Sequence, residues 1–326
     1  MLSRVANSLY WLSRYLERAE NLARIVNVSS YASLDAGGDE YVWRPALLAT
    51  CSEEIFEKAQ EEESGTLDVG RFITFSNSNP DSIAACIGHA RENARMVRDQ
   101  ISEEMWLEIN SFHLFMRSRD ARELFSRQPE ALYREVIKFC LLYEGLIEAT
   151  ILHDEGWQFI QVGKFLERSD KTSRILDMLT YHDSIDRNQL VSVLRSCSGF
   201  AAFRTEFRGD VMTENVVSFL LFSQTFPRSI RFCLRQLDSV LHKISGMPSG
   251  SFANEGERLT GSILAQMNFS NAHSVWEVGL HSYIDDLQGQ LNQIGQKVFE
   301  TYVLLPSEVR NVVRVDSLQM QWQQQQ

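Results

Sequence analysis

The chain has 326 residues, of which only 17 are glycine and 6 are proline, so turn-forming residues are scarce for a protein built of many β-hairpins. Its 43 acidic and 32 basic residues give a net charge of −11, which argues against the basic surface that non-specific nucleic-acid binding requires. Hydrophobic residues make up 44% of the chain, enough for a buried core. The composition therefore favours a folded, mostly helical protein that does not bind nucleic acid.

Apolar residues recur at the helical spacing of i, i+3, i+4 and i+7 along most of the chain. This periodicity predicts helices over 2–34, 43–60, 81–118, 130–151, 156–180, 187–208, 214–223, 227–245, 256–268 and 272–303. The stretch 64–80 is predicted to be a loop, and its last residues, Asn-Pro-Asp-Ser over 79–82, are typical of a helix start. The predicted fold is an all-α multi-helix bundle.

An internal repeat appears within this helical pattern. Residues 12–26, LSRYLERAENLARIV, and residues 162–176, VGKFLERSDKTSRIL, share five identities and seven conservative pairs in 15 positions. Both copies contain the tripeptide Leu-Glu-Arg, at 16–18 and at 166–168. We call the two predicted helices that carry it the LER helices.

The repeat predicts that the chain consists of two related helical halves, 1–150 and 151–305, each with one LER helix. A weaker echo, Arg-x-x-Arg at 95–98 and at 228–231, is consistent with this division. The remaining segment, 306–326, is rich in glutamine and is predicted to be a frayed tail.

Projection of the repeat onto a helix separates a charged stripe from a side of apolar and small residues. The stripe of the first copy consists of Arg14, Glu17, Asn21 and Arg24. The stripe of the second copy consists of Lys164, Glu167, Lys171 and Arg174. Arg18 and Arg168 lie at the edges of the stripes, and small residues on the packing sides, such as Ala19 and Ser169, permit close helix approach.

Two interpretations of the stripes remain open at this point. One is a solvated helix face with ion pairs three and four residues apart, each worth roughly 0.2–0.5 kcal/mol. The other is a paired charged site in which Glu17 and Glu167 lie across a pseudo-twofold axis, each held by arginine. In the second interpretation, either glutamate is a candidate catalytic acid or base, and the arginines bind a carboxylate or a phosphate.

A second polar cluster is predicted on the helix that follows residue 81. Its candidate binding residues are Arg91, Asn93, Arg95 and Arg98. These side chains either line an anion or peptide site that faces an LER helix, or belong to an exposed part of their own helix.

Signatures of common enzymes and metal sites are absent from the sequence. It contains no phosphate-binding glycine loop, no Gly-x-Ser-x-Gly and no His-Glu-x-x-His, and its seven histidines show no metal-ligand spacing. We therefore predict neither a cofactor nor a metal.

Cysteine usage and hydropathy predict a cytoplasmic protein. The five cysteines are scattered without a Cys-x-x-Cys pair, as is typical of a reducing compartment. Charged residues interrupt the first turns of the chain, so no signal peptide is predicted. The longest apolar stretches, such as 216–222, are far shorter than the roughly 20 residues that a membrane span needs. The sequence leaves the oligomeric state open.

The LER segments resemble the signature of the Alpha-E domain family, bacterial helical proteins named for a Glu-Arg motif. The similarity covers residues 9–21, 90–106, 156–168 and 226–233. The resemblance implies genes placed beside those of an ATP-grasp-like ligase and a transglutaminase-like protein, and therefore a role in peptide ligation or modification. It transfers no catalytic residue.

The expected function is accordingly a helical partner or substrate-presenting protein that works with the ATP-grasp-like ligase on a peptide substrate. The alternative is an enzyme of the same pathway that uses its Glu-Arg pairs in a polar cleft. A purely structural repeat protein is the third interpretation. The sequence leaves open whether the protein is an enzyme.

Overall fold

The computed structural model describes residues 1–35, 43–63, 67–181 and 184–304, and the regular structure in these ranges is entirely helical. The first eight helices are α1 (Ser3–Asp35), α2 (Arg44–Ala49), α3 (Glu53–Glu63), α4 (Val69–Phe75), α5 (Ile83–Met96), α6 (Glu103–Arg117), α7 (Arg119–Arg127) and α8 (Pro129–Thr150). The next eight are α9 (Glu155–Asp177), α10 (Arg187–Ser196), α11 (Phe200–Glu206), α12 (Thr213–Phe222), α13 (Ile230–Ser245), α14 (Glu255–Asn268), α15 (Ala272–Val278) and α16 (Leu280–Phe299). These helices confirm the predicted all-α multi-helix bundle. In the described part of the chain, no helix is long and apolar enough to cross a membrane.

Short polar side chains begin many of these helices. The Ser82 hydroxyl accepts a hydrogen bond from the backbone N–H of Ala85 at 3.3 Å, so α5 starts where the segment 79–82 predicted a helix start. Asp154 caps α9 in the same way, and accepts a hydrogen bond from the N–H of Gly156 at 2.9 Å. These caps fix where the helices that form the site begin.

Two short helices lie where no helix was predicted. Helix α4 lies inside the predicted loop 64–80, whose glycines and Asn-Pro turn signal obscure a helix of two turns capped by Asp68. Helix α7 has the sequence RDARELFSR, whose apolar residues Ala121, Leu124 and Phe125 keep the helical spacing over a single turn only, and Ser118 caps it. Periodicity therefore missed helices that local capping determines.

Some predicted long helices are interrupted. The predicted helix 81–118 is two helices, α5 and α6, joined by a turn. The predicted helices 43–60 and 187–208 each break at a non-glycine residue in the left-handed region, Cys51 with φ 55° and Ser198 with φ 53°. Cys51 ends its helix with no glycine or proline beside it, whereas Gly199 directly follows Ser198.

The LER helices, α1 and α9, pack against each other at the centre of the molecule. Helix α1 also contacts α5 and α8, while α9 contacts α13 and α16, and α6 and α14 pack against α5 and α13 in turn. One continuous cluster of buried apolar residues runs through both sets of helices. The recurring order of neighbours supports a division near residue 150, but the relationship between the two halves stays a prediction, and the predicted tail 306–326 lies outside the described residues.

The structure draws attention to a second sequence repeat. Residues 75–86, FSNSNPDSIAAC, and residues 222–233, FSQTFPRSIRFC, share six identities. Each segment leads into a helix that packs on an LER helix, and Ser82 and Ser229 cap those helices. This repeat supports two related halves more directly than the Arg-x-x-Arg echo does.

The two members of the Arg-x-x-Arg echo occupy different places in the fold. Residues 95–98 lie at the end of α5, whereas 228–231 lie at the start of α13. The weaker echo is therefore not a structural repeat.

The LER helices approach each other very closely at Gly163. A Cβ atom at this position would lie 2.3 Å from the backbone carbonyl oxygen of Tyr10 and 3.3 Å from the Cβ of Ser13. Small residues on the packing sides are also fully buried, including Ala19 and Ser169. Only a residue without a side chain fits the crossing point, so Gly163 sets the distance between the two helices.

All five cysteines are free thiols, and they differ sharply in exposure. Burial raises the pKa of Cys197 and Cys233 to about 12 and also raises the pKa of Cys86 and Cys140. Only Cys51 is exposed. The buried four are therefore protected both by packing and by a low thiolate fraction.

We expect iodoacetamide to alkylate the native protein at Cys51, because the thiolate is the reactive form and this thiol alone is accessible. Peptide mapping by mass spectrometry should find about one label per chain, and Cys51→Ser should take up none before unfolding. Comparable labelling of Cys140 in the native protein would contradict the buried position of that side chain.

Candidate functional site

The carboxylate of Glu17 lies in the interface of α1 with α9 and α13, with 4% of the residue exposed. Arg168 donates to it twice, from Nε to Oε1 at 2.8 Å and from Nη2 to Oε2 at 2.7 Å. Arg228 Nη1 and Asn21 Nδ2 each donate to Oε1 at 3.0 Å. A carboxylate offers about four acceptor positions, so Glu17 is saturated within the protein.

Glu167 has a similar environment and is completely buried. Arg18 Nε donates to its Oε1 at 2.7 Å, and Arg14 Nε donates to its Oε2 at 2.6 Å. Lys171 Nζ lies 3.7 Å from Oε1, one helical turn further along α9. The burial of both glutamates rules out a solvated face as the setting of the stripes.

The two Leu-Glu-Arg tripeptides exchange partners. The arginine of the first, Arg18, binds the glutamate of the second, and the arginine of the second, Arg168, binds the glutamate of the first. Each arginine then reaches one further carboxylate: Arg18 binds Asp81 beside α5, and Arg168 binds Glu144 on α8. The motif therefore joins the two LER helices to each other and to the helices around them.

The ends of the stripes repeat this exchange. Arg24 of α1 donates to the hydroxyl of Ser198, and Arg174 of α9 donates to Cys51 Sγ at 2.9 Å. These acceptors are the two left-handed residues that interrupt predicted helices in opposite halves of the chain. Each LER helix thus holds a turn of the other half.

The ion pairs form two networks of equal composition. We define the Glu17 network as Arg24, Lys164, Arg168, Arg228, Glu17, Glu20 and Glu144. We define the Glu167 network as Arg14, Arg18, Lys171, Arg174, Asp81, Glu167 and Asp170. Each network pairs four cations with three carboxylates. The centre of this acidic protein therefore carries an excess of positive charge.

The surrounding cations dominate the ionisation of both glutamates. Burial raises the pKa of the Glu17 carboxyl, but Arg168 and Arg228 outweigh burial and bring that pKa down to about 2. Burial also raises the pKa of Glu167, and Arg14 and Lys171 lead the charges that hold it well below its usual range. Both carboxylates are ionised throughout the physiological range.

These shifts predict a loss of stability in acid. Glu17 has a native pKa of about 2 against an ordinary value of 4.5, so the unfolded chain binds more protons between these pH values. Stability is therefore complete above about pH 4.5 and falls as the pH drops towards 2, with Glu17 alone contributing about 3 kcal/mol. Urea unfolding at pH 7, 4 and 3 measures this loss.

The variant Glu17→Gln serves as the control for this acid effect. Because glutamine does not titrate, the variant should lose less stability between pH 7 and pH 3 than the wild type does. Equal urea midpoints of the wild type at pH 7 and pH 3 would contradict the depressed pKa values.

Three carboxylates of the Glu17 network lie close enough together to be considered as metal ligands. Oxygen atoms of Glu17, Glu20 and Glu144 lie within 4.8 Å of one another. However, Arg168 already binds Glu17 and Glu144, and Arg228 binds Glu17 and Glu20. A metal ion would meet an existing excess of cations, so this donor set does not fit a resident metal.

The second predicted cluster lies apart from the LER stripes. The guanidinium groups of Arg91 and Arg98 lie over the ring of Trp106, 5.6 and 4.7 Å from its centroid. Arg95 and Asn93 bond to residues of their own helix. Across the described residues, no hydrogen bond or ion pair joins these four side chains to α1 or α9. The structure therefore does not bring the two predicted clusters together.

Sequence reasoning missed five members of the networks, Glu20, Asp81, Glu144, Asp170 and Arg228. Asp81 and Arg228 occupy the same place in the Pro-x-Ser-Ile repeat at 80–83 and 227–230, and each binds an LER motif. That repeat was the available signal. Glu144 stands in an ordinary amphipathic helix, and nothing in its sequence context marks it.

The fold and site define a class of all-α protein whose two central helices are joined by exchanged Glu-Arg pairs. The chain belongs to the Alpha-E family: residues 1–303 match the family model, which is described as a predicted alpha-helical domain with a conserved ER motif. The buried Glu-Arg pairs of the LER helices are residues of the type that this description names.

Two curated mycobacterial proteins are similar to the chain. They are uncharacterized protein Mb2597 of Mycobacterium bovis and uncharacterized protein Rv2567 of Mycobacterium tuberculosis, each 22% identical over 331 residues that cover 93% of this chain. The chain spans only 37% of the length of each relative. No solved structure matches the chain.

Proposed function

We propose that this protein is a non-enzymatic helical partner in a bacterial system that ligates or modifies peptides together with an ATP-grasp-like ligase. The observation that carries the proposal is the burial of Glu17 and Glu167, each of which accepts hydrogen bonds from two arginines and does so on both of its oxygens. Carboxylates engaged in this way join helices and leave no oxygen free for a substrate.

The same geometry disfavours the alternative of an enzyme that uses either glutamate as an acid or a base. General acid–base catalysis is most efficient when the pKa of the catalytic group lies near the working pH. The pKa of Glu17 is about 2, far below neutrality, and that of Glu167 is also depressed. Both groups act as permanent anions that position arginines.

The family resemblance supplies the class of partner, and the charge distribution supports its binding. The chain has a net charge of −11, and α3 contains six glutamates among eleven residues. An acidic surface favours association with a basic surface on the partner. In the two mycobacterial relatives, the matched region is part of a longer chain, so there it is covalently joined to further sequence.

Formation of a binary complex tests the proposal. The purified protein and the ATP-grasp-like ligase that the family resemblance implies should co-elute in size-exclusion chromatography, and their affinity should fall as ionic strength rises. Failure to bind both this ligase and the neighbouring transglutaminase-like protein, with and without ATP, would overturn the proposal.

A pair of charge-neutralising variants locates the contact. The test variant replaces three exposed glutamates of α3 with glutamine, at Glu54, Glu57 and Glu61. The matched control makes the same change at three exposed glutamates of α6, Glu103, Glu104 and Glu108. If only the α3 variant binds the ligase more weakly, α3 belongs to the interface. If both variants bind more weakly to the same extent, the attraction is a general electrostatic one.

A further inference from the structure

A cavity of about 220 Å³ lies between α1, α9 and α16, beside the Glu167 network. Its walls include aromatic rings, charged groups and an amide, contributed by Tyr10, Trp11, Arg14, Asp170, Asn292 and Phe299. The partner surface proposed above does not include this cavity, so its role is a separate question.

Arg14 is the cation that the protein presents to this cavity. Its Nε donates to Glu167 Oε2 at 2.6 Å, its Nη1 donates to the Tyr10 hydroxyl at 2.7 Å, and its guanidinium carbon lies 4.9 Å from the ring centroid of Trp11. Among the described residues, no acceptor is bound to its remaining nitrogen, Nη2. A guanidinium fixed on two sides thus keeps donor capacity that the described residues do not use.

In the other LER helix, α9, the cation equivalent to Arg14 is paired with a carboxylate from a flanking helix. Lys164 occupies in α9 the place of Arg14 in α1, and its Nζ lies 3.3 Å from Glu144 Oε1 on α8. Helix α16 lies against α9 as α8 lies against α1, but beside Arg14 it presents Gly295. The flanking helix α8 therefore supplies a carboxylate to Lys164, whereas the flanking helix α16 supplies none to Arg14 and leaves a cavity beside it.

Charge and shape restrict what the cavity can take. The Glu167 network has four cations and three carboxylates, so one additional negative charge brings it to neutrality. Asp170 on the cavity wall is already paired with Lys171 and Arg174. The rings of Trp11 and Phe299 favour a ligand with an apolar body over a bare, strongly hydrated anion.

We propose that this cavity binds the terminal α-carboxylate of an acylated amino acid, free or at the end of a peptide. In this arrangement Arg14 receives the ligand carboxylate as Lys164 receives Glu144, and the ligand side chain packs against Trp11 and Phe299. The ligand binds without covalent change.

Binding of a matched pair of small molecules tests the proposal. N-acetyl-L-phenylalanine should saturate the protein and shift the indole N–H resonance of Trp11, assigned with Trp11→Phe. N-acetyl-L-phenylalaninamide, which lacks the negative charge of the carboxylate, and inorganic phosphate, which lacks an apolar body, should each bind at least tenfold more weakly. The peptide Ala-Ala-Phe reports whether a peptide end enters as well as the free acylated amino acid. Equal affinity for the acid and its amide, or no saturable binding of either carboxylate, would overturn the proposal.

Two glycines of α16 provide a test of location that leaves every charged group in place. A Cβ at Gly295 would lie 3.3 Å from Leu166 Cδ2 and 3.7 Å from Arg14 Nη1, so Gly295→Val fills the cavity, whereas nothing lies within 4 Å of a Cβ at Gly289. Gly295→Val should weaken binding at least tenfold, and Gly289→Val should leave it unchanged. Circular dichroism checks that both valine variants fold. If Gly295→Val does not fold, Gly295→Ala takes its place. Unchanged binding by a folded Gly295 variant would place the ligand elsewhere. The experiment uses the protein alone, so its outcome is independent of the ligase complex.

Discussion

Replacement of Glu17 by glutamine is expected to lower the free energy of unfolding by about 3–5 kcal/mol, as is typical when one partner of a buried ion pair is removed. The reason lies in the partners: Arg168 and Arg228 are only 4% and 7% exposed, and without Glu17 their charges lose the anion that compensates their burial. Urea unfolding at pH 7, followed by circular dichroism, measures the change.

A surface ion pair gives the control for this variant. Glu255 binds Arg258 at 2.8 Å, but both side chains are about half exposed, at 52% and 46%. Glu255→Gln should therefore change the free energy of unfolding by less than about 1 kcal/mol. The double variant Glu17→Gln/Arg168→Met should lose less free energy of unfolding than the two single variants lose together, by about 0.5–3 kcal/mol. A loss below 1 kcal/mol for Glu17→Gln would contradict the central role of the network.

Substitution of Gly163 by alanine is expected to lower the free energy of unfolding by about 3 kcal/mol, at the upper end of what overpacking costs. Its new Cβ would stand 2.3 Å from the carbonyl oxygen of Tyr10, which is backbone and has no alternative rotamer. Relief of this contact requires that α1 and α9 separate, and the exchanged Glu-Arg pairs lengthen with them. Thermal and urea unfolding measure the effect.

Gly145 on α8 is the matched control. It is also a helical glycine, but nothing lies within 4 Å of a Cβ placed there. Gly145→Ala should leave stability unchanged or raise it by up to about 1 kcal/mol, since alanine favours the helix. Equal stability of the Gly163 and Gly145 variants would show that the crossing tolerates a wider helix separation.

The central helices of the fold could be predicted from the sequence because their pattern is long and regular. The LER repeat placed Glu17 and Glu167 at equivalent positions, and the cations at fixed spacing around both made a paired site one of two open interpretations. The small residues on the packing sides likewise indicated that each LER helix can approach a neighbouring helix closely. Helices as short as α4 and α7 show the apolar period over too few turns to stand out, so their caps carried the clearer signal.

The sequence could not predict whether the charged stripes face solvent or other helices of the protein. Helical periodicity separates polar from apolar sides, and it assigns the polar side to solvent unless other elements cover it. Here Asp81 just before α5, Glu144 on α8 and Arg228 just before α13 meet the stripes from outside the LER repeat. Partners that lie so far along the chain are fixed by tertiary packing, which a single sequence does not display.

The exchange of partners also determines when the centre of the protein can form. Arg168 and Arg228 follow Glu17 by 151 and 211 residues, and Glu167 follows Arg18 by 149. During synthesis, the first LER helix therefore leaves the ribosome long before Arg168, Arg228 and Glu167 have been made, and Glu17 lacks its arginine partners until then. Contacts of such sequence separation close slowly because a long loop must first be ordered. The Glu17 network therefore forms late in folding, because it is complete only after residue 228 has been made.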